Sequence, residues 1–267
     1  MQKCPTLPVA LTIAGSDSGA GAGIQADLKT FAALGVHGTG VITAVTAQNP
    51  KGVLGVQATD PAMVNSQLAA VFDAFHPQAI KTGMLFSAKV IRAVVAFLRR
   101  AKKIPPLIVD PVMVSTSGTR LLEEKAVDVL EKELLPLAAL ITPNVPEAEA
   151  LSRFKIGEPE DMRTAARLLR HRFGCAVLIK GGHLADTTQA IDIFYDGKAE
   201  LLLTAPRLKG VSLHGTGCTY SAAITGYCSL GHALPEAVKR AKHFITQAIA
   251  QSRRAGAHSV LNCFWKE

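Results

Sequence analysis

Apolar positions along the chain alternate between two patterns. Short continuous runs stand at 9–15 ("VALTIAG"), 78–83 ("QAIKTG"), 107–113 ("LIVDPVM"), 139–144 ("ALITPN") and 176–182 ("AVLIKGG"). Runs of this length, bounded by glycine or proline, read as buried strands. "GVITAVTAQ" at 40–48 adds a strand that ends in polar residues, and "GVLGVQA" at 52–58 a short one after an "NPKG" turn. Between them lie longer stretches of helical period. One is "IQADLKTFAALG" at 24–35, and another starts at the Asp60-Pro61 cap and reaches about Phe75. A third is capped by Ser87 and extends to Lys102, and a fourth, 158–174, is acidic in its first turn and ends on Gly174. Residues 190–205 alternate around a central Asp196-Gly197, which predicts a hairpin. Two apolar helices follow.

This βαβα order predicts an α/β fold, a mostly parallel sheet covered by helices on both faces with the hairpin at one edge. No linker or charge block divides the 267 residues, and little chain follows the last helix, so one domain spanning 1–267 is expected. The first apolar run is too short for a membrane span and lacks a cleavage pattern, which predicts a cytoplasmic protein with no membrane partner.

In such sheets ligands bind beyond the carboxyl ends of the strands. Those ends here collect Gly15, Gln48, Gly83, Asp110, Asn144 and Lys180. The formal charge of +8 changes this picture little. Its densest clusters, 239–243 and 253–254, are spaced like the solvated face of a helix, and no recognition motif accompanies them, so nucleic acid is not expected. Phosphorylated small molecules are a better match for the charge. Five widely spaced cysteines without C-x-x-C argue against a disulfide framework or a zinc site.

Three glycine-rich stretches carry candidate chemistry. Residues 21–26 fit G-x-G-x-x-A, but no Asp or Glu occurs between Asp27 and Asp60 to hold a ribose, which weighs against a dinucleotide site. No P-loop pattern exists. Residues 211–227, "VSLHGTGCTYSAAITGY", place Cys218 behind Gly215-Thr216-Gly217 at the start of a small-residue helix. Backbone N–H groups there, helped by the helix dipole, suit an anion such as a transferring phosphoryl group. A cysteine there is a nucleophile, a base or a small filler, and the helix N-terminus should lower its thiol pKa. Lys180, at the end of a buried strand, is placed to neutralise phosphate. Asp110 and Glu147, beside proline-stiffened strand ends, offer carboxylates to a hard cation, with helix capping as the plainer alternative for each. A cysteine hydrolase built on Cys218 and His214 is a further reading, without a third orienting residue in view.

"ALTIAGSDSGAGAGIQADLKTFAALG", "VITAVTAQN", "KTGML", "VDPVMVSTSG", "LITPNVPEAE", "VLIKGGH" and "HGTGCTYSAAI" together resemble the hydroxymethylpyrimidine/phosphomethylpyrimidine kinases of thiamin synthesis, in order from about residue 8 to 250. The resemblance implies a ribokinase-like three-layer sandwich, a homodimer, and an ATP- and Mg²⁺-dependent kinase. Its substrates would be a small-molecule pyrimidine, 4-amino-5-hydroxymethyl-2-methylpyrimidine, and that compound's monophosphate. It also implies residue roles. Gln48 would face the aminopyrimidine edge, with Gly15, Asp27 and Met84 lining the pocket and Val112, in the flap 112–120, covering the ring. Asn144, Lys180, Gly182 and Gly217 would serve ATP, and Asp110 and Glu147 magnesium through water. Cys218 would be the base, with Lys180, Gly215, Thr216 and Gly217 completing the catalytic set.

Pyridoxal kinase is the nearest alternative, because similar sequences with the same Gly-Thr-Gly-Cys turn have that activity. The cysteine-containing pyridoxal kinases that resemble this family use a second flap cysteine, and residues 112–120 contain none. A non-catalytic vitamin-binding regulator would not need Lys180, Glu147 and Cys218. One departure from the family pattern is Ala20 where a glycine is usual, which is harmless if its φ is negative.

Overall fold

The computed structural model describes residues 6–113, 121–182, 189–207 and 214–265. Nine strands form one sheet: β1 (Val9–Asp17), β2 (His37–Asn49), β3 (Gly52–Ala58), β4 (Ala79–Thr82), β5 (Leu107–Val109), β6 (Leu140–Ile141), β7 (Ala176–Gly181), β8 (Gln189–Tyr195) and β9 (Glu200–Pro206). Their order is β3-β2-β1-β4-β5-β6-β7-β8-β9. The ladder is parallel from β2 through β7, and β3, β8 and β9 join antiparallel at the two edges. The α/β architecture with an edge hairpin is therefore as the sequence predicts.

Burial on both faces explains why the central strands read as unbroken apolar runs. In β7, Val177 and Ile179 pack into one core and Leu178 into another. The first core lies under α2 (Pro61–Ala74), α3 (Ala88–Arg99), α4 (Glu124–Val129), α5 (Val145–Ser152) and α6 (Pro159–Phe173). The second lies under α7 (Thr216–Ser229) and α8 (Leu234–Ala250). On that face α1 (Gly23–Ala33) packs against α7, with Phe31 touching Ala222. Each fully buried Leu, Ile or Phe in these layers contributes roughly 1.5–3 kcal/mol. Small residues at 221–223 let α7 lie close to the strands, buried nearly all round, and this fixes where its N-terminus points.

Caps set the helix starts as predicted: Asp60 accepts from Ala62 N–H, Ser87 from Val90 N–H, and Gly174 ends α6 at φ 74°. Some boundaries differ. β1 runs two residues past Gly15, and α3 ends at Arg99 instead of Lys102. Not foreseen were α4 with its following π-helical turn at 130–134, α5, and a hairpin of β10 (Arg253–Ala255) and β11 (His258–Val260). Arg253 and Arg254 thus lie on an exposed hairpin, not on a helix. Among the described residues no helix is long and apolar enough to cross a membrane.

Candidate active site

β1 lies between β2 and β4, so chain connections leave it in opposite directions and open a crevice at its carboxyl end. A cleft of about 130 Å³ occupies that position. It gathers most of the predicted residues: Gly15 from β1, Gln48 from β2, Met84 after β4, Asp110 and Val112 after β5, Asn144 and Glu147 at the start of α5, Lys180 from β7, and Gly215, Gly217 and Cys218 at the start of α7. Thr216, the first residue of α7, does not line the cleft, nor does Gly182, which is exposed beyond β7. Flap residues 114–120 lie outside the described residues. Val112, just before them, holds φ at +44°, an unusual value for a β-branched residue.

Asp27 departs from expectation. It is fully buried behind the cleft, where its Oδ2 accepts from Lys81 Nζ at 2.8 Å and Thr12 Oγ1 at 2.6 Å. Lys81, not Asp27, reaches the cleft wall. Burial pushes the Asp27 pKa up against the pull of Lys81. Burial alone would lower the Lys81 pKa, but the surrounding negative charges, Asp27 foremost and Asp110 with it, together with the Asp27 hydrogen bond hold it above its ordinary value.

A second lysine–aspartate pair stands nearer the opening. Lys180 Nζ donates to Asp110 Oδ1 at 2.8 Å, and Ser221 Oγ donates to Asp110 Oδ2 at 3.0 Å. Burial alone would lower the Lys180 pKa, but the charges of Asp110 and Glu147 hold it above the usual lysine value. A Cβ built on Gly217 would come within 3.2 Å of the Lys180 ammonium, so a side chain there would crowd the cation. Gly215 caps α7 at φ 84°, and any side chain on it would overlap the Gly21 carbonyl. The turn thus needs glycine for both conformation and space.

Glu147 is engaged by the backbone. Its Oε2 accepts from Asn144 N–H and its Oε1 from Met113 N–H, both at 3.0 Å, while Asn144 Oδ1 caps the Glu147 N–H. Burial raises its pKa, opposed by Lys180. Among the described residues no three carboxylate, imidazole or thiol groups cluster as a metal cage. This donor set suits Mg²⁺ only as an ion held largely by water and phosphate oxygens, a normal mode for that metal.

Cys218 corrects a further expectation. Its thiol pKa is pushed up to about 11 by burial, with Lys81 pulling down and Asp110 and Asp27 pushing up again. Desolvation of the thiolate outweighs the helix N-terminus.

At the other side of the cleft, the Gln48 amide lies 2.7 Å from His214 Nε2 and 3.2 Å from Thr46 Oγ1. Thr46 has one hydroxyl proton, and the Ser16 carbonyl accepts it at 2.9 Å. The proton count therefore turns Gln48 Nε2 toward Thr46 and Oε1 toward a His214 Nε2–H that Asp17 Oδ2 also faces at 3.2 Å. One N–H and one acceptor site of the amide remain for a ligand. Asp17 is a site residue that sequence reasoning missed, and His214, named there only as a partner for Cys218, instead bonds Gln48 and Asp17. The Asp17 carboxylate accepts the N–H groups of Gly19, Gly21 and Ala22, and so shapes the glycine-rich loop. Three nearby N–H groups downstream of an aspartate were the signal available. The loop forces Ala20 to φ 55°, contrary to the negative value expected, at a cost of roughly 1–2 kcal/mol.

The sequence profile of the family described as phosphomethylpyrimidine kinase matches residues 17–262. A hydroxymethylpyrimidine/phosphomethylpyrimidine kinase of Synechococcus elongatus is 46% identical over 94% of this chain and 94% of its own length. A thiamine biosynthesis bifunctional protein of Geobacter sulfurreducens is 49% identical, and this chain spans 51% of it. Among solved structures, a phosphomethylpyrimidine kinase from Clostridium difficile is 44% identical with a TM-score of 0.80, over 90% of this chain and 99% of that one. A Bacillus subtilis pyridoxal kinase in complex with ADP is 36% identical with a TM-score of 0.88, over 96% and 97%.

Proposed function

The chain belongs to the phosphomethylpyrimidine kinase family, and from that premise we propose that it transfers the γ-phosphoryl group of ATP to 4-amino-5-hydroxymethyl-2-methylpyrimidine and then to the resulting monophosphate. The observation that carries the reading is the convergence, in one cleft, of the Gln48 amide with Lys180 and the N-terminus of α7. The free acceptor and donor of Gln48 match the exocyclic amine and ring nitrogen of an aminopyrimidine. Lys180 and the backbone N–H groups of Gly217 and Cys218 in the first turn of α7 face the developing phosphoryl charge.

The substrate oxygen forms a bond to the γ-phosphorus as the bond to the ADP oxygen breaks. A loose transition state of this kind asks for positioning and charge stabilisation before proton removal. Cys218, protonated in the resting site, can accept the hydroxyl proton only in its small thiolate fraction. Asn144 and Glu147 orient the phosphate end, and Asp110 and Glu147 would hold magnesium through water, where the ion would supply positive charge to the phosphate oxygens.

Purified protein with MgATP should convert the hydroxymethylpyrimidine to mono- and then diphosphate, read as coupled ADP release. A folded preparation that releases no ADP with either pyrimidine removes the proposal. Pyridoxal is the second substrate worth testing, given the structural likeness to pyridoxal kinases. With a flap that lacks cysteine, kcat/KM for the pyrimidine should exceed that for pyridoxal by at least about tenfold, or ~1.4 kcal/mol.

A further inference from the structure

β7 and β8 pair antiparallel with Lys180 directly opposite Asp192. Opposed residues of such a pair project from the same face, and a lysine facing an aspartate there ordinarily forms a cross-strand ion pair. Lys180 instead pairs with Asp110 at the cleft. The partner of Asp192 comes from α8: Lys242 Nζ lies 2.7 Å from Asp192 Oδ2 and donates also to the Ala190 carbonyl at 3.1 Å. Asp192 Oδ1 accepts the Gly181 N–H at 3.0 Å, one residue past Lys180. A further buried neighbour of the carboxylate, the Tyr220 hydroxyl, carries no charge that could replace the ammonium.

Asp192 is 3% exposed and Lys242 8%, so water does little to screen either. Lys242 belongs to the basic cluster that the sequence places on a solvated helix face, yet it turns inward. A carboxylate able to compete for the Lys180 ammonium is thus present and already neutralised. We propose that Lys242 is a positioning residue of the phosphoryl-transfer site: by occupying Asp192 it leaves Lys180 directed into the cleft. The inference rests on the role given to Lys180 under the kinase reading.

Lys242→Gln removes the charge and keeps a donor toward Ala190 and Asp192. Freed to pair across the strands, Lys180 is misplaced by an ångström or more, and kcat should fall by about ten- to a hundredfold with KM for the pyrimidine unchanged. Adding Asp192→Asn, which removes the competing charge but still accepts the Gly181 N–H, should restore kcat to within about threefold of the unsubstituted chain. A lowered Tm with unchanged kcat per folded molecule overturns the proposal, and so does a loss that Asp192→Asn does not rescue. Lys242→His gives a second test within one folded protein. Its kcat relative to the unsubstituted chain should fall as pH rises through the imidazole titration, and a flat ratio overturns the idea. Lys180→Met separates the two levels. A loss there with none in Lys242→Gln sinks the positioning role alone, whereas unchanged activity in Lys180→Met removes the assignment of Lys180 and this inference with it.

Discussion

Two lysine–aspartate pairs at the carboxyl end of the same sheet have the same nitrogen–oxygen distance, 2.8 Å, and different surroundings. Both side chains of Lys81–Asp27 are 0% exposed, whereas those of Lys180–Asp110 are 13% and 4% exposed. The inner pair ties α1 to β4 behind the cleft, with Thr12 as a further donor. The outer pair lies where a ligand can enter, and Ser221 also holds its carboxylate. A buried pair is costly to break because the survivor is an uncompensated charge. An ammonium at an opening can exchange its carboxylate for phosphate. The bond is the same in both; access to the cleft opening suits the outer pair to the proposed chemistry and leaves the inner pair to structure.

The largest expected effect breaks the inner pair. Lys81→Met should cost about 3–5 kcal/mol of stability in chemical denaturation, most of it recovered by adding Asp27→Leu. If Lys81→Met unfolds at the same denaturant concentration as the unsubstituted chain, the inner pair is not structural. Next, Lys180→Met should lower kcat by roughly 100- to 1,000-fold while costing less stability than Lys81→Met. The reverse pattern would exchange the two roles.

Cys218, within electrostatic range of both pairs, sharpens the contrast through pH. With its pKa at about 11, roughly one thiol in ten thousand is ionised at pH 7. If the thiolate is the base, kcat should rise by up to about tenfold per unit between pH 7 and 9, because raising pH below the thiol pKa increases its active form. Cys218→Ala should lose about 100-fold at pH 7 and abolish that slope. A slope that survives in Cys218→Ala assigns it to another group. The smallest effect tests the far side of the cleft, away from both pairs. Gln48→Leu should weaken pyrimidine binding by about 1–3 kcal/mol in calorimetry, with ADP affinity unchanged.

Much of the architecture was legible because it follows from local pattern. Apolar runs gave β1, β4, β5 and β7, and Asp60, Ser87 and Gly174 marked helix ends through bonds that span a few residues. The strand-end rule then named Gly15, Gln48, Gly83, Asp110, Asn144 and Lys180, and all of them line the cleft. The misses share a cause. Asp27 reads as a polar residue on a helix, and nothing nearby shows that Lys81, fifty-four positions away, neutralises it. A lysine within the short strand "AIKT" signalled a buried charge but could not name its partner. Lys242 sits in a basic cluster whose spacing says surface, and only the packing of α8 over β8 turns it toward Asp192.

By itself the sequence determined the order of the sheet strands and of most helices, the glycine turn before α7 and the family, since these depend on residues near one another in the chain and on their order. The tertiary structure alone decided which charges are buried, which lysine holds which carboxylate, and that the Cys218 thiol is raised and not lowered in pKa. Helix dipole and glycine geometry are short-range and can be read along the chain. Desolvation and ion pairing depend on what packs opposite a group in space, and here that partner comes from another element each time.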